Sequence, residues 1–358
     1  MAATPAHAKK ESLSKPVQEL AINGDEPPQR YVYKGDGVYK GGDGAIHASS
    51  PLLDVPVIDV GLLTSSSPTR KEELGKLQSA LSSCGCFQAI NHGITNSFLD
   101  EVQKVAKQFF AFPTEEKQKC SRALDDIEGY GNDTVLSENQ ILDWTDRLYL
   151  TVYPEDQRKL ELWPENPENF REILDEYTTK LRMMNELVLK AMANSLDLEE
   201  NCFLNQFGEK GSMTARFNLY PPCPRPDLIL GVKPHADGSA ITFLLQDKEV
   251  EGLQILKDDQ WFRVPIIPHA LLINVGDQAE IMSNGIFKSP VHRVVTNSVK
   301  ERITLAVFCM PDLGKEIGPV EQLINEKRPR LYKKVKNYVD IYFQNYQQGK
   351  RPIEAAKI

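Results

Sequence analysis

Three side chains in this sequence could hold a metal ion. His235-Ala-Asp237 pairs an imidazole with a carboxylate, and His292 follows 57 residues later in Ser-Pro-Val-His-Arg. Two imidazoles and one carboxylate form the facial ligand set of non-haem Fe(II), which leaves three positions on the ion for a co-substrate and O₂. Residues i and i+2 of an extended chain share a face, so His235 and Asp237 can point into one interior. Ten residues past His292, Arg302-Ile-Thr304 sets a guanidinium and a hydroxyl at the same i, i+2 spacing. That pair suits the far carboxylate of a dicarboxylate co-substrate. Ile303, Leu305 and Val307 alternate around it, and an Arg in such an apolar strand needs an anion. Two His and one Asp would also suit catalytic zinc. The Arg302/Thr304 pair, and the lack of a general base beside the triad in sequence, favour iron. Of the other histidines, His92 in Asn91-His92-Gly93 reads as a turn residue. His269 after Pro268 reads as exposed, and His7 and His47 fall in a loose leader.

The elements that must position these groups divide the chain in two. Residues 1–50 are rich in Gly, Pro, Lys and Glu and predict a mobile leader, with one short helix at Val17-Gln-Glu-Leu-Ala-Ile. Residues 51–210 predict strands at Val55–Asp59 and Cys86–Ile90, with helices at about Thr69–Ser83 and Asn96–Phe110. A long helical pattern runs through residues 165–200. Thr114-Glu-Glu-Lys predicts a cap and an acidic first turn. From residue 211 to 315, eight short apolar runs alternate with turns, the fourth and fifth joined by Lys257-Asp-Asp, which predicts a β-sandwich or barrel. Residues 316–358 return to a helical pattern, at about 319–350.

Composition narrows the function less. The chain has 358 residues, 41% hydrophobic and 26% charged, which is ordinary for a globular enzyme. A net charge of −8 argues against a nucleic-acid partner. No run of eighteen apolar residues predicts a membrane span. The N-terminus lacks the apolar stretch of a signal peptide, so a cytoplasmic location is expected. Six scattered cysteines predict free buried thiols. The absence of heptads predicts a monomer.

Taken with their order, the motifs place a resemblance. Val55-Pro-Val-Ile-Asp59, Gly85-Cys-Phe-Gln-Ala-Ile-Asn-His-Gly93, Glu128-Gly-Tyr-Gly131, Leu142-Asp-Trp144 and Asn218-Leu-Tyr-Pro-Pro-Cys-Pro224 precede His235-Ala-Asp237. Gly252-Leu-Gln254, Asn274-Val-Gly-Asp277, Ser283-Asn-Gly285, His292-Arg293 and Arg302-Ile-Thr304 complete the set. The chain resembles the soluble plant 2-oxoglutarate- and Fe(II)-dependent dioxygenases over nearly all of Val55 to Pro311, and is similar to their specialised-metabolism branch. The resemblance implies a distorted double-stranded β-helix, or jelly roll, with flanking helices, mainly β with a helical N-terminal region. It implies iron on His235, Asp237 and His292, and 2-oxoglutarate on Arg302, Thr304, Tyr220 and Asn218. It implies substrate contacts from Phe308, with Tyr130 and Phe217 as aromatic candidates, and a C-terminal helix over the active site.

The implied activity uses O₂ and ascorbate and releases succinate and CO₂. It hydroxylates, demethylates or desaturates a small, largely apolar plant metabolite (flavonoid, coumarin, alkaloid or terpenoid) or a xenobiotic. Thr304 stands where the family usually has Ser, Ala236 where it usually has Thr or Ser, and Cys84-Gly-Cys86-Phe87 where it usually has Trp-Gly-Phe-Phe. The first keeps the hydroxyl, the second makes the pocket slightly larger or drier, and the third changes packing. Two other readings stay open. One is a same-scaffold Fe(II) oxidase that does not use 2-oxoglutarate. The other is a catalytically silent protein that holds a small molecule.

Overall fold

The computed structural model describes residues 15–23, 26–35, 50–64, 68–124, 126–132, 140–347 and 350–358. His7 and His47 lie outside them. The helices are α1 (Val17–Asn23), α2 (Val60–Leu63), α3 (Thr69–Ser83), α4 (Asn96–Ala111), α5 (Thr114–Gln118), α6 (Phe170–Ser195), α7 (Leu204–Phe207), α8 (Asp277–Met282) and α9 (Tyr338–Gln347). The strands are β1 (Val57–Asp59), β2 (Cys86–Ile90), β3 (Gly129–Gly131), β4 (Asp146–Tyr153), β5 (Ser212–Tyr220), β6 (Leu230–His235) and β7 (Ile241–Leu245). They continue with β8 (Leu253–Lys257), β9 (Gln260–Arg263), β10 (Leu271–Val275), β11 (His292–Val295), β12 (Arg302–Met310), β13 (Glu316–Ile317) and β14 (Val335–Lys336).

Two sheets face each other. The large one has the order β1-β2-β10-β7-β12-β5-β4-β3, and the small one β6-β11-β8-β9. Strand periodicity then sends alternate residues of the large sheet to two different places. Tyr130, Leu148, Phe217, Leu305 and Leu245 are cross-strand partners in one row. That row joins the core beneath α3, α4 and α6, where Phe170 lies 5.2 Å from Phe217. Tyr220, Leu244, Leu272 and Cys86 look the other way and pack on Val232, Leu253, Ile255 and Val294 of the small sheet. The jelly roll is thus the space between the sheets, and the helices support it from outside. Each large apolar side chain buried this way contributes about 1.5–3 kcal/mol.

Local sequence sets the joints. Gly85 closes α3 with φ +70, and a Cβ there would stand 2.1 Å from the Lys288 carbonyl oxygen, so only glycine both turns and clears the passing chain. Asp258 and Asp259 take φ +48 and +56 between the paired Lys257 and Gln260, giving the tight β8–β9 hairpin that the sequence predicts. The Thr95 hydroxyl caps α4 by accepting from the Phe98 amide. All six cysteines are free; five are buried and Cys202 is half-buried. Burial pushes the Cys86, Cys120, Cys202, Cys223 and Cys309 thiols up.

Several expectations need correction. The described part of the leader is docked: Val17 and Tyr31 pack with Leu142, Trp144, Cys223 and Ile229. The Val17 and Gln18 amides both donate to the Asp146 carboxylate, at 2.8 Å each. Thr114 is the first residue of α5 rather than its cap, because its hydroxyl turns to the Glu19 carboxylate. Between 319 and 350 the helix begins only at Tyr338. The preceding residues hold a 3-10 turn at Glu321–Leu323 and the β13–β14 pair. His269 is half-buried, because Asp100 Oδ1 holds its Nε2 at 3.0 Å. β3 and β4 were not expected and extend the large sheet by two strands.

Candidate functional site

His235 ends β6 and His292 begins β11, and the two are cross-strand partners. Their rings stand 4.3 Å apart between centroids. Each ring is oriented the same way. His235 Nδ1 lies 2.9 Å from the Lys233 carbonyl oxygen, and His292 Nδ1 lies 3.0 Å from that of Pro290. With the proton on Nδ1, each Nε2 is left as a lone-pair donor turned toward Asp237. Asp237 Oδ1 is 3.7 Å from the first and 3.6 Å from the second. Those separations are too long for hydrogen bonds. They are close to the roughly 3 Å between neighbouring donors around an ion with bonds of about 2.1 Å. Asp237 Oδ2 is buried and has no partner. Burial, and then the neighbouring His292, lower the His235 pKa, which favours the neutral, ligating imidazole.

Asp237 lies outside any strand, so something other than a ladder must fix it. The amide-rich start of α8 does so from one side. Asp277 N donates to the Asp237 carbonyl at 2.8 Å, Gln278 N to that of Ser239 at 3.1 Å and Gly276 N to that of Ala240 at 2.8 Å. The Gln278 side chain donates to the Gly238 carbonyl at 2.8 Å. The Asp277 carboxyl itself is pushed up to about 7 by burial, against the hydrogen bond that Tyr338 donates to it.

The anion clamp stands on the large sheet. Arg302 faces Tyr220 across β12 and β5, and Thr304 faces Asn218. Arg302 is 3% exposed. Its Nε donates to the Val250 carbonyl at 3.1 Å and its guanidinium lies 5.4 Å from the Tyr220 ring centre, yet Nη2 is buried without an acceptor. Burial lowers its pKa. Asn218 donates to the Thr304 hydroxyl at 3.3 Å, and Asn218 Oδ1 has no partner. An unmet buried donor costs about 1–3 kcal/mol, more on a charged group, so this set fits a carboxylate. The orphaned oxygen of Asp237 likewise fits a cation. These residues suit both the metal and the dicarboxylate that the sequence suggests.

The substrate candidates separate. Phe308 lies on the inner face and stacks on Tyr149 at 6.5 Å. Phe217 and Tyr130 lie on the outer face: Phe217 meets Phe170, and Tyr130 meets Phe109 at 5.7 Å. Both are core residues, and strand parity turns them away from the inner wall, since Phe217 alternates with Asn218. Sequence reasoning missed Tyr149, Thr214 and Arg216, which share the inner wall with Phe308. Tyr149 and Thr214 are joined through their hydroxyls at 2.9 Å. Arg216 is near enough to His235 to oppose its protonation. The alternation of Arg147, Tyr149 and Thr151 with Leu148, Leu150 and Val152 was the signal available for β4. Tyr346 of α9 sits edge-on to His235 at 6.3 Å, so the C-terminal helix reaches the site.

Comparison with known proteins agrees with this geometry. Residues 200–311 match the 2OG-Fe(II) oxygenase superfamily. Residues 55–166 match the N-terminal region described as non-haem dioxygenase in morphine synthesis. The chain is 41% identical to codeine O-demethylase of Papaver somniferum, covering 92% of this chain and 91% of that one. It is 39% identical to flavonol synthase/flavanone 3-hydroxylase of Eustoma exaltatum subsp. russellianum, over 81% and 85%. The crystal structure of JOX2 in complex with 2OG, Fe and JA superposes with a TM-score of 0.86 at 32% identity, over 98% of this chain and 99% of that one. The two family matches, the identity over most of the chain and the shared fold show that this chain belongs to the 2OG-Fe(II) oxygenase superfamily.

Proposed function

We propose that His235, Asp237 and His292 hold Fe(II), and that Arg302 and Thr304, with Asn218 and Tyr220, seat the distal carboxylate of 2-oxoglutarate. The observation that carries this reading is a complementary pair of buried orphans, Asp237 Oδ2 and Arg302 Nη2, on the inner walls of one jelly roll. Bound Fe(II) would supply O₂ activation coupled to decarboxylation of 2-oxoglutarate to succinate and CO₂, with ascorbate keeping the metal reduced. The chain's own part is placement. Lys233 and Pro290 carbonyls set the two imidazoles, and α8 sets the carboxylate.

The substrate of this reading is a small, largely apolar, ring-bearing plant metabolite or xenobiotic that is hydroxylated, demethylated or desaturated. Phe308 and Tyr149 offer it an aromatic wall, and Arg216 offers a cation to a phenolic or carboxylate oxygen. The relatives named for codeine and for flavonoids support a substrate of that size and character. In this reading residues 211–315 form the catalytic core, 51–210 support it, and the protein acts as a cytoplasmic monomer. Among the described residues no helix is long and apolar enough to cross a membrane.

The test is succinate formation from 2-oxoglutarate by the full chain with Fe(II), ascorbate and a panel of phenolics, alkaloids and terpenoids, with products identified by mass. His235→Ala and Asp237→Ala are each expected to abolish turnover. Turnover that survives either change would overturn the ligand assignment, and oxidation that proceeds without 2-oxoglutarate would overturn the co-substrate.

A further inference from the structure

The metal-bearing loop is gripped by two helices. The start of α8 holds residues 237–240. Ala236, the residue between the two ligands, is held by the C-terminal helix: Tyr342 of α9 donates its phenol hydrogen to the Ala236 carbonyl at 2.8 Å. The same ring lies against Gly238, where a Cβ would meet ring atoms at 2.6 and 2.7 Å. One turn earlier, Tyr338 donates to Asp277 Oδ2 at 2.8 Å, and the Asp277 amide in turn donates to the Asp237 carbonyl. Residues four apart share a helix face, so a single face of α9 reaches Ala236 and Gly238 through Tyr342, and Asp237 through Tyr338 and Asp277. Tyr346, a further turn along, stacks on Tyr342 at 5.7 Å with its plane only 11° away, and stands beside His235.

We propose that Tyr342 is a positioning residue for the metal site, and that Gly238 is the seat that admits it. The proposal rests on the reading of His235, Asp237 and His292 as ligands. β6 ends at His235 and β7 begins at Ile241, so no strand ladder fixes the peptide planes between them. A ligand set must be held within about 0.5 Å of its working geometry before the ion arrives. The Tyr342 hydroxyl fixes the Ala236 carbonyl, and its ring blocks the loop from folding back over Gly238. His235 and Asp237 then present Nε2 and Oδ1 together without a metal to organise them. The C-terminal helix is on this view part of the metal-binding apparatus rather than only a cover for the organic substrate.

The experiment is equilibrium titration of the metal-free full chain with Co(II), an unreactive stand-in for Fe(II), with thermal melting of the same samples. Uptake of one ion per chain that disappears in Asp237→Ala supports the ligand reading. No uptake by the unaltered chain would sink that reading and this proposal together. Given uptake, Tyr342→Phe keeps the ring and loses the bond to Ala236. It is expected to weaken Co(II) binding about 10-fold and to speed release, with melting of the metal-free protein nearly unchanged. Gly238→Ala displaces the ring while keeping the hydroxyl and is expected to weaken binding similarly. The double variant is expected to be no weaker than the worse single, because both changes break one contact. Wild-type Co(II) affinity in Tyr342→Phe, or fully additive losses in the double variant, would overturn the proposal. If Tyr342→Phe fails to fold, wild-type affinity in Gly238→Ala does so alone.

Discussion

At the scale of residues, the site is defined by what its side chains lack. Arg302 spends one N–H on Val250 and keeps Nη2 buried with nothing to bind. A charged hydrogen bond removed from such a place costs about 1.5–3 kcal/mol. Arg302→Ala is therefore expected to raise the KM for 2-oxoglutarate by roughly ten- to a hundredfold, with Arg302→Lys between it and the wild type because a point charge replaces a fork. Thr304→Val removes one neutral hydroxyl, worth about 1 kcal/mol, so a rise of about fivefold is expected. Steady-state kinetics with varied 2-oxoglutarate checks both. The triad and clamp were legible in the sequence because each pairs chemically distinctive residues at i, i+2 spacing. The outer-face placement of Phe217 and Tyr130 was not legible, because aromatic character alone does not say which side of a strand a residue occupies. Asn218, one position along, carried that information.

At the scale of elements, Asp146 of β4 ties the N-terminal helix to the sheet. Its carboxylate accepts from the first two amides of α1, as a capping side chain would, but from far away in sequence. Asp146→Ala is expected to release α1 at a cost of about 1–2 kcal/mol, seen as faster hydrogen exchange over residues 17–23 and a lower melting temperature. Burial nonetheless outweighs these bonds and pushes the carboxyl up to about 6. An acid whose pKa is raised by folding loses its proton more readily in the unfolded chain, so deprotonation favours unfolding. The wild type should therefore lose stability relative to Asp146→Asn as pH climbs from about 4 to about 6, with no further change above. Melting of the two metal-free proteins across that range checks the sign. None of this was visible in the sequence: β4 was unassigned, and a cap supplied from 128 residues away leaves no local motif. α3 and β2, by contrast, were legible to the residue, because Gly85 marks their junction.

At the scale of the whole molecule, the proposed ligands and the proposed clamp divide between the two sheets. His235 and His292 stand on the small sheet, while Arg302 and Thr304 stand on the large one. A metal alone would strengthen one wall, whereas a dicarboxylate on both metal and clamp would join the walls. Co(II) with 2-oxoglutarate is accordingly expected to raise the melting temperature by more than the separate effects added together. At a hundredfold excess over Kd a single such ligand contributes about 2.7 kcal/mol. Equal shifts with and without 2-oxoglutarate would place its carboxylate elsewhere. The sandwich itself was legible from the eight apolar runs, since each became a strand. The division of those strands into two sheets was not, because it depends on pairings between distant segments that no local pattern records.

The cysteines have a practical consequence. Five thiols are buried, the sixth is half-buried, and burial holds five of the six in the protonated form. Alkylating dyes react with thiolate, so the native chain offers them almost nothing at neutral pH. A single cysteine placed at the exposed Gln344 of α9 would then carry a fluorophore without the native thiols being removed first. Such a label would make the docking of the C-terminal helix observable in solution, in real time.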